Sequence, residues 1–365
     1  MTNVSLAEAR AHFDLPPNTT YLDSATYGLP PRETAQAMHQ AIYDWQAGSA
    51  DWVRDWDRTG ESCRADFAAL IGTSADTIAL LPTVSTGVGT VAASLGPNDE
   101  VLVPDDEYAS VLNPLLVVQR ERGVHIKLVP LSELANQVSP RTTLVACSLI
   151  QMQSGRAAPL PDVVEAARAV GARTLVDATH AVPFVPLADD IDRIDYLLCA
   201  AYKHLLCPRG VAFMHVARER WDVVPPILAN WRSRSDVYGG YFGSGLELAP
   251  NAARFDVSLA WFSWVGGSVS LRLLADWHRQ GLLPEAVNLA RQLAQRLGLE
   301  PPLGTVVGVP VADAESVRLR LAEAGIKAAV RGTNVRLSTH VYTTLADVDR
   351  AAEALKPSVR APAAT

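Results

Sequence analysis

Between residues 75 and 215, short β-branched runs alternate with amphipathic stretches of helical length, and few folds accommodate such a pattern. In βαβ units, each helix carries the chain back so that the next strand lies parallel to the previous one. Seven runs have the length and apolar character of strands: Thr77–Leu81, Glu100–Val103, His125–Val129, Thr143–Leu149, Arg173–Val176, Tyr196–Cys199 and Gly210–His215. The alternation therefore predicts an α/β fold with a large, mostly parallel, seven-stranded sheet.

The segments that flank this block predict further helices and a second unit. Apolar residues recur every three to four positions over Pro31–Gly48, and this spacing predicts a helix that ends at the glycine. Another helix is expected over Val257–Leu274. The order from residue 304 onwards is β-α-β-β-α, with one strand over Lys327–Val330. We expect an N-terminal arm over residues 1–20, a large domain over 21–250 and a smaller C-terminal α+β domain over 251–365.

The composition excludes several classes of protein. A chain of 365 residues suggests about two domains, and its 32 basic against 39 acidic side chains argue against a nucleic-acid partner. The N-terminal residues lack an apolar signal core, and no run of about 18 apolar residues occurs, so no membrane association is expected. The four cysteines form no C-x-x-C pair, which argues against a disulfide framework or a zinc cluster. These observations predict a cytoplasmic protein without a metal site.

Several common catalytic motifs are missing from the sequence. It contains no H-E-x-x-H, G-x-S-x-G or G-x-x-x-x-G-K-[ST] pattern. Residues 86–90, T-G-V-G-T, lack the third glycine of a dinucleotide-binding fingerprint. These absences argue against a zinc peptidase, an α/β-hydrolase and a P-loop protein.

Three polar residues stand at or just beyond strand ends of the predicted sheet. Asp177 follows the strand Arg173–Val176, and His180 lies three residues further on. Lys203 follows the next apolar run, and a lysine there is poorly solvated, which lowers its pKa and suits it to Schiff-base chemistry. Taken singly, such an aspartate is more often a turn residue and such a lysine a surface charge. Because open α/β sheets bind ligands at the carboxyl ends of their strands, the three together are candidates for one site.

Six segments distributed along most of the chain are similar, in their order, to the motifs of one known family. They are Tyr21-Leu-Asp-Ser-Ala-Thr-Tyr-Gly28, Leu81-Pro-Thr-Val-Ser-Thr-Gly87, Asp106-Glu-Tyr-Ala109, Leu175-Val-Asp-Ala-Thr-His180, Tyr202-Lys203 with Pro208-Arg-Gly210, and Arg336-Leu-Ser-Thr-His-Val-Tyr-Thr-Thr344. Any one segment is a weak signal, but the order is specific. The chain resembles the class V group of fold-type-I pyridoxal-phosphate enzymes, which includes cysteine desulfurases, kynureninase and isopenicillin-epimerase-like proteins.

This resemblance implies an aminotransferase-like fold that binds pyridoxal 5′-phosphate (PLP) at the sheet edge. Lys203 would hold the cofactor aldehyde, Asp177 would keep its ring nitrogen protonated, and His180 would hydrogen-bond the ring oxygen or the imine side. The remaining expected contacts are Tyr108 on the ring face; Thr83, Ser85, Thr86 and Tyr202 at the phosphate; and Arg336 at the substrate carboxylate.

Departures from the family pattern narrow the chemistry and leave some positions open. Cysteine desulfurases carry a nucleophilic cysteine on a late loop, whereas this chain has none after Cys207, so persulfide chemistry is not expected. The asparagine that often contacts the ring oxygen has no clear counterpart, and Gln151 or Gln153 would replace it. The segments 238–245 and 254–258 fall where relatives contribute residues across a dimer interface. The resemblance therefore implies a homodimer in which Tyr241 and Ser258 enter the neighbouring subunit's site.

Within the class, the chain looks most similar to lyases that cleave S-substituted cysteines in thiol-conjugate and thiosugar antibiotic pathways of secondary metabolism. The expected reaction is β-elimination, in which Lys203 removes the α-proton, a thiolate leaves, and pyruvate and ammonia follow. The alternative is decarboxylation with oxidative deamination to an aldehyde that keeps the sulfur. Tyr241 is the residue suspected of biasing that choice, and its competing interpretation is a packing aromatic at the interface. Aminotransfer and a non-catalytic binding protein of the same fold are further alternatives.

Overall fold

A seven-stranded sheet forms the centre of the molecule in a computed structural model that describes residues 5–359, apart from the side chain of Pro357. The first strand of the chain, β1 (Thr20–Tyr21), lies outside this sheet. The sheet contains β2 (Ile78–Leu81), β3 (Glu100–Pro104), β4 (His125–Val129), β5 (Thr142–Ser148), β6 (Arg173–Asp177), β7 (Tyr196–Ala200) and β8 (Ala212–Val216). Their spatial order is β2-β8-β7-β6-β5-β3-β4; β8 is antiparallel to both neighbours, and the other pairs are parallel. The predicted large, mostly parallel sheet is therefore confirmed.

The central strand β7 is apolar throughout because both faces of the sheet are covered. In β7, Leu197 and Cys199 belong to the hydrophobic core on one face, whereas Tyr196 and Leu198 belong to the core on the other. Strands buried on both faces are typically continuous apolar runs without polar alternation. This packing explains why β7 is a continuous apolar run in the sequence.

Helices cover both faces of the sheet. They are α1 (Leu6–Arg10), α2 (Arg32–Ala47), α3 (Thr59–Ile71), α4 (Val84–Ala92), α5 (Ala109–Arg122), α6 (Leu160–Val170) and α7 (Trp261–Arg279), with a π-helical turn over Trp52–Asp57. The predicted helix near residues 31–48 is α2, and Gly48 ends it in the left-handed conformation with φ 65°. The helix predicted from Val257 begins four residues later, at Trp261. Its expected first turn stays extended because the Val257 amide donates to the Leu80 carbonyl of β2 at 3.1 Å.

The C-terminal unit contains α8 (Leu283–Arg296), β9 (Val306–Pro310), α9 (Ala314–Glu323), β10 (Ile326–Lys327), β11 (Ala329–Arg331), β12 (Asn334–Ser338) and α10 (Leu345–Leu355). Strands β11, β12 and β9 form an antiparallel sheet, whereas β10 pairs in parallel with β1. The single strand predicted over Lys327–Val330 is therefore wrong. The chain changes sheets at Ala328, because the first half pairs with the N-terminal segment and the second half pairs with β12.

Two features of the described residues bear on the sequence predictions. None of the helices within residues 5–359 is long and apolar enough to span a bilayer. In the same part of the chain, no cluster of three or more histidine, cysteine, aspartate or glutamate side chains could hold a metal ion. The helix α7, which follows residue 250, packs against α2 and α3, which precede it. The predicted domain boundary at residue 250 stays a prediction.

Candidate active site

A cavity opens where three neighbouring parallel strands end. Ser148, Asp177 and Ala200 are the last residues of β5, β6 and β7, and all three line it. The other walls come from the loops that follow these strands and from the segments that begin α4 and α5; they include Thr83, Ser85, Tyr108, Ser110, Met152, Thr179, His180, Tyr202, Lys203 and Arg209. The cavity thus occupies the edge at which open α/β sheets bind ligands.

Lys203 and His180 form a buried pair inside this cavity. The Lys203 Nζ lies 3.0 Å from His180 Nε2, and both side chains are almost completely enclosed. Burial lowers the pKa of Lys203 to about 8, although the nearby Asp177 charge acts in the opposite direction. Burial also holds the pKa of His180 well below its usual value, and the Lys203 charge adds to the effect. The imidazole is therefore neutral, and its Nε2 can accept a hydrogen bond from the lysine.

Asp177 is a buried carboxylate without an ion-pair partner among the described residues. Its Oδ1 accepts a hydrogen bond from the Thr179 amide at 2.9 Å, and the Thr179 hydroxyl accepts one from the Ala200 amide at 3.0 Å. Burial raises the pKa of Asp177, while the Thr179 hydrogen bonds act against that change. A cationic group in the cavity would relieve the cost of burying this carboxylate.

The end of the cavity formed by the N-terminus of α4 presents hydroxyl groups, and a guanidinium also lines the cavity. Thr83 caps the N-terminus of α4, and its Oγ1 accepts a hydrogen bond from the Thr86 amide. Thr83 and Ser85 line the cavity, whereas Thr86 lies behind them with its hydroxyl 2.8 Å from Thr83 Oγ1. Arg209 lies with its guanidinium carbon 5.1 Å from the ring centroid of Tyr202 and has no ion pair among the described residues. A helix N-terminus with hydroxyls and a free guanidinium suits a phosphate group.

Tyr108 stands at the opening of α5, with its ring centroid 5.6 Å from Lys203 Nζ. Behind it lies Glu107, a buried residue that the sequence analysis did not single out. Glu107 accepts hydrogen bonds from the Ser148 amide at 2.7 Å, the Ser148 hydroxyl at 2.5 Å and the Tyr108 amide at 2.7 Å. Glu107 therefore ties the end of β5 to the turn that carries Tyr108.

Arg336 is buried in β12 beside the cavity and does not line it. Its Nη1 donates to the Met152 carbonyl at 3.1 Å, and its Nη2 donates to Thr26 Oγ1 at 2.6 Å and lies 3.5 Å from Asp23 Oδ1. Its Nε has no hydrogen-bond partner among the described residues. The arginine supports the cavity wall through Met152, and its expected contact with a substrate carboxylate stays a prediction.

Four other predicted site residues do not line the Lys203 cavity in the single chain. Gln151 is buried with its Nε2 3.4 Å from Glu107 Oε2, and Gln153 is exposed beside the Arg331 carbonyl. Tyr241 is partly exposed and its ring centroid lies 5.8 Å from that of Trp231. Ser258 is exposed. Their roles stay predictions; two of these residues, Tyr241 and Ser258, were expected to act across a subunit interface.

Sequence reasoning missed Arg209, Thr179 and Glu107 as components of the site. Arg209 stands in the Pro208-Arg-Gly segment that carries the family resemblance, so its position was visible although no role was assigned to it. Thr179 lies two residues after Asp177 and directly before His180, and this position was the available signal. Glu107 had no comparable signal, because its partner Ser148 is 41 residues away in sequence.

Comparison with known proteins agrees with this geometry. The family model "Aminotransferase class-V" matches residues 20–351. Isopenicillin N epimerase from Streptomyces clavuligerus is 29% identical over 95% of this chain and 97% of its own. Kynureninase from Deinococcus radiodurans is 27% identical over 95% of this chain and 91% of its own. A structure of a C-DES mutant with glycine covalently linked to its PLP cofactor superimposes with a TM-score of 0.84, at 20% identity, over 96% of this chain and 99% of that one.

The chain belongs to the class V aminotransferase family. Its expected fold-type-I architecture and its expected cofactor, PLP, are both confirmed. The donor set of the cavity fits this cofactor, because a buried carboxylate without an ion pair suits a protonated ring nitrogen and the Thr83 end suits a phosphate. Lys203 lines the same cavity with a buried amine, and its expected attachment to the cofactor stays a prediction.

Proposed function

We propose that this protein is a PLP-dependent C–S lyase that converts an S-substituted L-cysteine and water to a thiol, pyruvate and ammonia. The observation that carries the proposal is the buried Lys203 amine, whose pKa is about 8 and whose Nζ lies against a neutral His180. Such an amine is a good base near neutral pH. A second structure superimposing at TM-score 0.83 and 20% identity is that of the cystine C–S lyase C-DES with its product cysteine persulfide, over 94% of this chain and 99% of that one.

The cysteines of the chain support a lyase over a desulfurase. A desulfurase mechanism of the persulfide type needs an accessible thiolate as nucleophile. Here all four cysteines, Cys63, Cys147, Cys199 and Cys207, are buried, and burial raises the pKa of each of their thiols. None of them lines the cavity. The sulfur is therefore proposed to leave on the substrate's own substituent.

The residues that would hold the cofactor are distributed around the cavity. Lys203 would attach its aldehyde, Asp177 would pair with the ring nitrogen, and Tyr108 would cover the ring face. Thr83, Ser85 and Arg209 would bind the phosphate, with Tyr202 beneath the guanidinium. When bound, PLP supplies an electron sink that stabilises negative charge at the substrate α-carbon.

The chain's own contribution to the reaction is proton transfer and orientation. Lys203 Nζ would take the α-proton, and the His180 Nε2 would keep the amine directed into the cavity through their 3.0 Å contact. The buried Asp177 carboxyl group would stabilise positive charge on the cofactor ring nitrogen. Enclosure of these groups excludes bulk water and strengthens each electrostatic interaction.

We also propose that the protein acts as a homodimer with shared sites. The glycine-rich loop 238–245 is apolar and exposed in the single chain, with Phe242 96% exposed and Tyr241 43% exposed. Exposed apolar surface of this kind marks a contact with another protein. Burial of this loop by a second copy would remove that exposure and bring Tyr241 and Ser258 to the neighbour's cavity.

Mass spectrometry of the products tests the proposed reaction. Aerated, PLP-loaded protein incubated with an S-alkyl-L-cysteine should release the free thiol and pyruvate in equal amounts. A sulfur-retaining aldehyde together with CO2 would replace the lyase by an oxidative decarboxylase. An amine-bearing cofactor with a sulfur-containing keto acid would indicate aminotransfer. Lys203→Ala is the control, because it should lose both the visible absorption of the bound cofactor and the products.

A further inference from the structure

The loop that carries Lys203 is held at five consecutive backbone carbonyls. We call residues 201–207, which follow β7, the lysine turn. Each carbonyl from residue 202 to residue 206 accepts a hydrogen bond. Two of the donors, the Leu206 amide and the Cys207 thiol, belong to the turn itself. The other three come from distant parts of the chain: the Gly28 amide, the Ser270 hydroxyl and the His340 imidazole.

The lysine turn contains a residue in a strained backbone conformation. Leu206 has φ 58°, in the left-handed region, where the Cβ of an L-residue is sterically disfavoured. Its side chain is fully buried against the N-terminal segment, where a Cβ at Gly28 would come within 2.7 Å of Leu206 Cδ2. Such a conformation persists only where the surrounding structure fixes it. The donors from outside the turn supply contacts of this kind.

Ser270 of α7 is one of these donors. Its hydroxyl lies 2.9 Å from the Leu206 carbonyl, which can only accept, and 2.8 Å from the Thr34 hydroxyl of α2. The single Ser270 proton is directed to the carbonyl, so Thr34 donates to Ser270. Both serine and threonine are completely buried. Helices α2 and α7 are therefore connected to the strained residue by one buried chain of hydrogen bonds.

His340, which follows β12 in the C-terminal unit, is a second donor. Its Nε2 lies 3.0 Å from the His204 carbonyl, and its Nδ1 accepts a hydrogen bond from the Val341 amide at 2.9 Å. Burial lowers the pKa of His340 to about 4, so near neutral pH the ring is uncharged and its proton is on Nε2. The Tyr342 ring stacks on it, with centroids 4.9 Å apart. The C-terminal unit therefore holds the residue next to Lys203 through a donor of fixed orientation.

The two side chains act on Lys203 only through the backbone. Neither Ser270 nor His340 lines the Lys203 cavity, so their effect on a ligand bound there would be indirect. The carbonyls that they hold lie one and three residues after Lys203, at His204 and Leu206. A shift of this backbone would displace the Lys203 amine from its enclosed position. Displacement of a reacting group by about 1 Å can slow a reaction by about 100-fold.

We propose that His340 and Ser270 are positioning residues that direct the Lys203 amine towards the aldehyde of an incoming PLP by holding the His204 and Leu206 carbonyls. This inference rests on the proposed function in one respect, the attachment of the cofactor at Lys203. In that step the neutral amine nitrogen attacks the aldehyde carbon, a C=N bond forms, and the aldehyde oxygen leaves as water. His340 and Ser270 exchange no proton in it and set only the position of the amine.

The rate of cofactor attachment tests this role without measuring catalysis. Cofactor-free protein is mixed with saturating PLP and quenched at intervals with borohydride, which reduces the C=N bond, and peptide mass spectrometry gives the fraction attached at Lys203. His340→Phe keeps an aromatic ring but removes the donor, so it should slow attachment about 10- to 100-fold. Ser270→Ala should slow attachment in the same direction. The total PLP retained after gel filtration should fall much less than the rate.

Two matched variants separate the hydrogen bond from packing. His340→Gln places an amide N–H donor where the His340 Nε2 lies, so it should recover most of the attachment rate. Tyr342→Phe keeps the ring that stacks on His340 and removes the hydroxyl that lies 2.6 Å from Ser24 Oγ. It perturbs the same buried cluster without touching the lysine turn, so it should attach PLP at nearly the wild-type rate.

Equal attachment rates in the wild type, His340→Phe and Ser270→Ala would overturn the positioning role. A loss in Tyr342→Phe or His340→Gln as large as that in His340→Phe would also overturn it, because packing alone would then explain the effect. If His340→Phe does not fold, Ser270→Ala decides the question, since it removes one hydroxyl group and leaves the His340 cluster intact.

Products are analysed with the same proteins, so failure of the positioning role is distinguishable from failure of the proposed reaction. Attachment that depends on both donors, without formation of pyruvate and thiol, would overturn the C–S lyase reaction and leave the positioning role intact. Formation of pyruvate and thiol, with attachment rates that neither substitution changes, would do the reverse.

Discussion

Burial of the Lys203 amine gives the protein a pH-dependent cost of folding. Its pKa falls from 10.5 to about 8, so between these values the unfolded chain binds more protons, and stability rises with pH across that window. Below pH 8 the ammonium is buried at full cost. We expect Lys203→Met to stabilise the cofactor-free protein at pH 7, and this gain to shrink towards pH 10. Urea denaturation at several pH values measures the free energy of unfolding of Lys203→Met and of the wild type. Lys127→Met, at an exposed position, is the control. A stability gain that does not change with pH would contradict the lowered pKa of Lys203.

The proposed role of Arg209, binding of the cofactor phosphate, can be tested without measuring catalysis. Arg209 lines the cavity without an ion pair among the described residues, so its guanidinium is available to a phosphate. We expect Arg209→Gln to raise the Kd for PLP about 10- to 100-fold, the range for losing one charge-assisted hydrogen bond. Absorbance titration of the cofactor-free protein measures this. Arg209→Lys should recover part of the affinity, and an unchanged Kd for Arg209→Gln would remove Arg209 from the phosphate site.

At the scale of elements, the contact between the N-terminal segment and the turn after β7 holds Lys203 in place. Gly28 fits only without a side chain, because an added Cβ would meet the Lys203 carbonyl at 2.1 Å. We therefore expect Gly28→Ala to destabilise the protein by about 1–3 kcal/mol, as overpacking does, and to reduce PLP occupancy. Gly89→Ala in α4 is the matched control, because its Cβ would meet nothing within 4 Å and alanine favours a helix. Thermal unfolding and the visible absorbance compare the two.

Local sequence patterns predicted some helices and strands correctly and others wrongly. Central strands such as β7 were predictable because burial on both faces makes them continuous apolar runs. The segment 326–331 was not, since a local pattern cannot show that Ala328 separates pairing with β1 from pairing with β12. The predicted start of α7 was four residues too early for a similar reason. Val257 is held by a hydrogen bond to Leu80, which lies 177 residues earlier in sequence.

At the scale of the whole molecule, the exposed loop 238–245 predicts self-association. We expect a solution mass of twice the 39.2 kDa chain by sedimentation equilibrium. Phe242→Asp should shift the protein towards monomer, because it places a charge at a side chain that is 96% exposed in the single chain. Leu128→Asp, on the exposed face of edge strand β4, should leave the mass unchanged. A monomeric wild type would reject the shared site and, with it, the cross-subunit roles of Tyr241 and Ser258.

Local sequence patterns were sufficient for the fold class, the order of the strands along the chain, and the placing of Asp177 and Lys203 at or just beyond strand ends. These properties depend on the periodicity of burial and on motifs a few residues long, which a sequence carries directly. The tertiary structure decided which groups touch: the 3.0 Å contact of Lys203 with His180, the anchoring of Ser148 by Glu107, and the contacts of buried Arg336 with Met152 and Asp23. Such contacts join residues far apart in sequence, so they follow from the spatial order of strands and the packing of loops and cannot be read from spacing along the chain.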